Sequence, residues 1–178
     1  MSGRAFARLA FSDAVKSVQA RYGVRDHGER LEISGPANAT LTPQVTAMIA
    51  ACDSVFIASA ARNLWPHVQH RGGPPGFLKA LDAETLAFGD FDGNRQFITL
   101  GNIAENPRVV LLMIERGSGR RLKLWAEAEV IDDDPALLAR LDNRAYPARP
   151  RRAVLLHVRA FDINCRQHIP KEYLTSIM

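Results

Sequence analysis

Cysteine is nearly absent from this 178-residue chain, occurring only at Cys52 and Cys165. Two thiols cannot staple a domain of this size, which excludes a disulfide scaffold and leads us to expect a reducing, cytoplasmic setting. No apolar run approaches the ~18 residues that a membrane span needs, so no membrane partner is expected. The opening MSGRAFARLAF is short and interrupted by arginine, and does not read as a secretory leader. Lysine is scarce: of 23 basic residues only Lys16, Lys79, Lys123 and Lys171 are lysine, and arginine supplies the rest. The glycine-rich nucleotide motifs GxGxxG and GxxxxGK[ST] are missing, as are the hydrolase and zinc-protease motifs GxSxG and HExxH. No zinc-finger spacing, KH loop or aromatic-plus-basic RNA signature occurs.

What is present suits a globular fold. Hydrophobic residues make up 47% and charged residues 24%, enough to build and solvate one core. The net charge of +4 is carried by scattered arginines whose densest groups, Arg120-Arg121 and Arg151-Arg152, are only pairs. A nucleic-acid partner is therefore not expected. Arginine offers a planar fork of donors that fits phosphate and carboxylate.

Along the chain, residues 1–40 read as a peripheral helical arm and loop, free to wrap a partner, and 41–178 as the main domain. Ser12 is placed to cap a helix bearing Val15, Val18 and Tyr22 on one face, ended by Gly23. The polar stretch RDHGERLEISGPANA reads as surface loop. Thr42-Pro43 opens a helix with Val45, Met48, Ile49 and Cys52 on one face, which makes Cys52 a small buried hydrophobe. SVFIASA, FLKALD, TLAFGDF, VVLLMIE, RLKLWAEAEVI and RAVLLHVRAFD read as strands. NLWPHVQHRGGPPG reads as a loop between the first two. In the fifth strand Leu122, Leu124, Ala126, Ala128 and Val130 share one side. In the last, Val154, Leu156, Val158 and Ala160 face one way and His157 and Arg159 the other. Asp134-Pro135 opens a helix carrying Leu137, Leu138 and Leu141. Helices do not alternate with every strand, so a doubly wound or TIM arrangement is excluded. The pattern predicts a mainly β fold, a six-stranded antiparallel and partly open barrel with peripheral helices.

Three polar clusters stand out. The first, Trp65 to Gly76, sets His67, Gln69, His70 and Arg71 beside a glycine-proline turn. Two histidines without a third ligand do not make a metal site. The second runs from Asp90 to Asn102. Asp92-Gly93 is a turn signal, Arg95 and Gln96 follow it, and a short helix beginning near Leu100 offers free N–H groups to an anion. The third, Asp162 to Pro170, groups Asn164, Cys165, Gln167 and His168, whose donors and acceptors suit the edge of a planar ring. Read without further context, the first is a surface loop, the second a hairpin turn and the third a cap on a barrel mouth.

The runs WPHVQHRGGPPGFLKALD, LAFGDFDGNRQFITLGNIAENPRVVLLMI, RLKLWAEAEVI and FDINCRQHIPKEY resemble the pyridoxamine 5'-phosphate oxidase-like FMN-binding split-barrel family. The likeness is to the branch with PHVQHRGG, GNRQ and NCxQHI segments and covers roughly residues 45–173. It implies a split barrel that forms a homodimer with FMN at the subunit interface. The phosphate grip it implies falls on Arg71 and Lys79 on one side and on Asn94, Arg95 and Gln96 on the other, with Thr99 and Asn102 close behind. His67, Gln69, His70, Trp125, Asn164, Cys165, Gln167 and His168 are the implied wall of the pocket. The phosphate turn reads Asn94-Arg95-Gln96 where vitamin B6 oxidases carry Ser-Arg-Lys, and no RLSP-type tail occurs, so that substrate is not expected.

The function so implied is an FMN-dependent oxidoreductase acting on a small molecule, with a nicotinamide electron donor among its candidate partners. His67, His70 and His168 are candidate proton donors, since histidine titrates near neutrality. The alternative on the same barrel is a non-catalytic flavin- or haem-binding protein.

Overall fold

The computed structural model describes residues 4–164 and 167–170. The chain runs α1 (Ala5–Ala10), α2 (Asp13–Arg21), α3 (Arg25–Ile33), α4 (Pro43–Ala50), β1 (Ser54–Ser59), β2 (His67–Gly72), β3 (Leu78–Ala80), β4 (Thr85–Asp90), α5 (Ile98–Glu105), β5 (Arg108–Ile114), β6 (Arg121–Ile131), α6 (Pro135–Leu141) and β7 (Arg152–Asn164). The strands form one antiparallel sheet in the order β2-β1-β5-β6-β7-β4-β3.

That order forces curvature. The two edge strands, β2 and β3, are consecutive in the chain and joined by residues 73–77 alone. Seven flat strands would set the edges about 29 Å apart at ~4.8 Å per neighbour. The connection reaches about 20 Å fully extended. The sheet therefore curls into a split barrel around Val55, Ile57, Leu78, Leu86, Phe88, Leu111, Leu122, Leu124 and Leu156, all buried. Helix α4 packs Val45, Met48 and Ile49 into the same core, and its start is capped by the Thr42 hydroxyl, which accepts from Val45 N. Among the described residues no helix is long and apolar enough to cross a membrane.

The predicted β class holds, with corrections in detail. The strand count is seven, because the PHVQHRGG segment read as loop is β2, hydrogen-bonded to β1 from Ser54↔Gly72 to Ser59↔His67. Its alternation is polar on one face, so hydrophobic periodicity could not reveal it. The stretch read as surface loop after Gly23 contains α3. Two of its charges are paired: Glu32 accepts from Arg25 and lies 2.8 Å from Lys16 Nζ on α2. The helix after the polar turn begins at Ile98, two residues before Leu100.

The largest correction concerns Ala160. A bulge between Trp125 and Ala126 pairs Trp125 with Ala160 but Ala126 with Val158, which leaves Arg159 as the extra residue. Val158 and Phe161 consequently face the barrel core. Ala160 instead faces outward, buried with Ala5, Phe6 and Ala7 of α1. Phe6 stacks on Trp125 at 5.6 Å between ring centres and 19° between planes. The arm is thus fastened to the outer face of its own barrel by an aromatic pair.

Candidate functional site

Strand alternation sorts the first polar cluster. His67, Gln69 and Arg71 share one face of β2 and line a common cavity. Val68 and His70 lie on the other face, exposed. There His70 meets Phe56 edge-on at 5.5 Å, and its Nε2 lies 2.8 Å from Ser54 Oγ. The two histidines are therefore not neighbours in one site.

The cavity's opposite wall is the turn between β4 and α5. Asn94 shapes it: its Oδ1 accepts from Gln96 N and its Nδ2 donates to Gln96 Oε1, both at 3.2 Å. Arg95 and Phe97 adopt left-handed backbone, φ 58° and 55°. Such angles are costly for side chains of this size and concentrate at ligand sites. Arg151 Nε donates to Asp92 Oδ2 at 3.2 Å and ties the turn to the start of β7. Among the described residues no side chain caps α5, so the first-turn N–H groups of Ile98, Thr99 and Leu100, all cavity-lining residues, lack an intrahelical partner.

The floor is an ion-pair network. Asp90 ends β4, is 6% exposed and pairs in register with Arg152 at the start of β7. Its Oδ2 accepts from Arg152 Nη1 at 2.8 Å, and its Oδ1 lies 3.5 Å from Arg71 Nη2. Hydrogen bonding to Asp90 pushes the basicity of Arg152 still higher. The Arg152 guanidinium also lies 5.4 Å over the Phe97 ring. Arg71 Nε is buried with no hydrogen-bond partner among the described residues. The cavity, open on one side, has a volume of about 160 Å³, below the ~300–1,000 Å³ of a complete small-molecule pocket.

The structure thus brings together His67, Gln69, Arg71, Asn94, Arg95, Gln96 and Thr99. It does not bring the others to them within one chain. Asn102 is buried and donates to Ser59 Oγ. Lys79 lies on β3 and does not line the cavity. Trp125 lies on the outer face of β6, under Phe6, with Lys123 Nζ 5.6 Å from its ring. Asn164 donates to Asp162 Oδ2 at the far end of β7. Gln167 and His168 are exposed beyond it, and Cys165 lies outside the described residues. Sequence reasoning gave Asp90, the first residue of the second cluster, no role and missed Arg152 as a site residue. A signal was available: an aspartate closing the apolar strand TLAFGD must be paired when buried.

Residues 41–164 match the model of the pyridoxamine 5'-phosphate oxidase family. The chain belongs to that family. No curated protein matches the sequence. Among solved structures, HupZ of Group A Streptococcus is 14% identical, with 69% of this chain and 93% of that one covered and a TM-score of 0.56. An FMN-binding protein from Syntrophomonas wolfei subsp. wolfei is 15% identical, covering 84% and 96%, with a TM-score of 0.50. An F420 reductase is 18% identical, covering 65% and 94%, with a TM-score of 0.50. At these identities the likeness is one of fold.

Proposed function

We propose that this chain is an FMN-binding flavoprotein that works as a homodimer and transfers electrons to or from a small substrate. The observation that carries the reading is the cavity between β2 and the β4–α5 turn. It combines guanidinium groups, free helix N–H groups and an unpaired buried donor, Arg71 Nε, all of which a phosphate dianion satisfies. Arg71, Arg95, Asn94 and the start of α5 would hold the FMN phosphate. His67 and Gln69, further along β2, would meet the ribityl chain.

The cavity takes the phosphate end only, so the ring must lie outside it, against a second copy. The outer sheet face beside it supports this. Phe56, Leu112, Ala58, Val110 and Val68 fall on one face by register, with His70 and Lys123 among them and Trp125 already covered by Phe6. Phe56 is 41% and Val68 61% exposed. An apolar sheet face of this extent is what a two-fold partner covers. Bound FMN would supply the hydride or electron chemistry. The chain's own residues bind, orient and shield, and His67 is the histidine that shares the cavity with the proposed phosphate grip.

The test is a visible absorbance scan of purified protein, with acid release and chromatography of any chromophore. FMN near one per subunit, bleached by NADH or NADPH under turnover, is the expected result. A colourless protein that takes up no FMN on titration would sink the reading. A Soret band would replace it with the haem-binding alternative. FMN bound without turnover would leave a carrier rather than an enzyme.

A further inference from the structure

We propose that Arg152 is a ligand of the phosphate and Asp90 its positioning residue, and that this pair makes the site select a phosphate monoester over the same molecule ending in a hydroxyl. The proposal rests on the phosphate reading of the cavity and names residues that reading does not contain.

The geometry carries it. An arginine side chain has several rotatable bonds, and holding one for a ligand costs freedom unless something has already ordered it. Arg152 is ordered on three sides. Its Nη1 donates to Asp90 Oδ2 at 2.8 Å, its Nε to Asp132 Oδ1 at 3.3 Å, and Phe97 lies under the guanidinium at 5.4 Å. It still lines the cavity. The same Asp90 carboxylate reaches Arg71 with its other oxygen. One buried carboxylate therefore spaces two guanidinium groups at the floor of one cavity.

Charge then decides what fits. Three arginines, Arg71, Arg95 and Arg152, face two lining carboxylates, Asp90 and Asp92, and Asp92 is already paired with Arg151, so an excess positive charge remains. Asp132 subtracts little, since its side chain is 78% exposed and screened by solvent. A phosphate dianion neutralises this excess and gives acceptors to the free donors. A neutral hydroxyl does neither. A bland alternative exists for the same contacts: Asp90 and Arg152 are register partners, so their ion pair could serve only to join β4 to β7. The two roles part on one readout. A staple supports every ligand equally, whereas a phosphate ligand affects the phosphorylated one alone.

The experiment compares FMN with riboflavin on wild type, Arg152→Gln, Arg152→Lys and Asp90→Asn, with inorganic phosphate as a second probe by thermal shift. Loss of one charge-assisted contact corresponds to about a 10- to 100-fold weakening. FMN affinity is expected to fall by that order in Arg152→Gln, less in Arg152→Lys and about 10-fold in Asp90→Asn, while riboflavin affinity stays within about 2-fold. Phosphate should raise the Tm of wild type and not of Arg152→Gln. Parallel loss of FMN and riboflavin binding would overturn the proposal in favour of a staple, and so would an unchanged preference for FMN. Where Arg152→Gln fails to fold, the charge-preserving Arg152→Lys carries the same comparison. If wild type binds neither flavin, the FMN reading fails by itself. The phosphate shift then decides this proposal: present in wild type and lost in the variant, it stands; absent from wild type, it falls.

Discussion

Asn102 donates its side-chain amide to the Ser59 hydroxyl at 3.1 Å, and both residues are buried. This bond is a direct polar tie from α5 to β1, 43 residues apart in sequence. It fixes the helix whose first turn forms one wall of the phosphate cavity. Asn102→Ala leaves the Ser59 hydroxyl without this partner and should cost about 1–3 kcal/mol. Urea unfolding measures the loss, and a midpoint equal to wild type would contradict it. Any FMN affinity should fall with it, because α5 loses its anchor.

Gly89 on β4 has no room for a side chain. A Cβ there would stand 2.6 Å from Pro150 Cβ and 3.8 Å from Leu141 Cβ. Gly89→Ala should therefore push the loop before β7 away from β4 and destabilise by roughly 1–3 kcal/mol, the range for overpacking. Since Asp90 and Arg152 flank this point, a change in thermal stability should come with weakened phosphate binding. A variant as stable as wild type would show that the loop gives way freely.

The Phe6–Trp125 stack can be read by fluorescence. The sequence has two tryptophans, and Trp65 is 91% exposed. With Trp65→Phe as background, Trp125 emission should be blue-shifted. Adding Phe6→Ala should red-shift it and cost about 0.5–1.5 kcal/mol beyond the lost area. No spectral change would mean that the arm leaves Trp125 in solution.

The outer sheet face should govern assembly. Phe56→Asp places a charge amid Val68, Ala58 and Leu112 by strand register. Sedimentation should show a predominantly dimeric wild type and at least a ~10-fold weaker dimer in the variant. A dimer of undiminished strength would move the interface elsewhere.

Acid stability has a traceable contributor in Glu115. Arg120 donates to its carboxylate at 2.7 and 3.0 Å, and the Ser118 hydroxyl donates as well. The Arg120 hydrogen bonds hold its pKa below the ordinary 4.5, against the opposing effect of burial. A carboxylate depressed in the folded state stabilises fully above its unfolded value and loses that contribution as the pH falls through the folded one. Glu115→Gln should therefore be less stable than wild type near neutrality, and the gap should close towards about pH 3. A constant gap across the titration would exclude this linkage.

Much of the fold was legible in the chain. The alternation in Arg121–Ile131, the Ser12, Thr42 and Asp134 caps and the apolar run of Arg108–Ile114 all report burial or local hydrogen bonding, and the structure keeps each of them. Strand β2 was not legible, because its face towards the cavity is His67, Gln69 and Arg71. Functional polarity there replaces the hydrophobic period that would mark a strand. Nor was α3, where Glu32 pairs with Lys16 of α2 and with Arg25 of its own helix.

The amino-acid order by itself determined the β class, the family and the turn that carries Asn94, Arg95 and Gln96, since these depend on patterns within a few residues. Only the tertiary structure decided that Ala160 faces the arm, since a single bulged residue reverses every side chain beyond it. It also separated His67 from His70, because neighbours two apart on a strand share a face and those three apart do not. Asp90 meets Arg152 as its register partner on the neighbouring strand, but its contact with Arg71 required the curled sheet, which brings the ends of β4 and β2 to one cavity. Burying that carboxylate is favourable only where two cations meet it, and their meeting is a property of the curled sheet rather than of any segment.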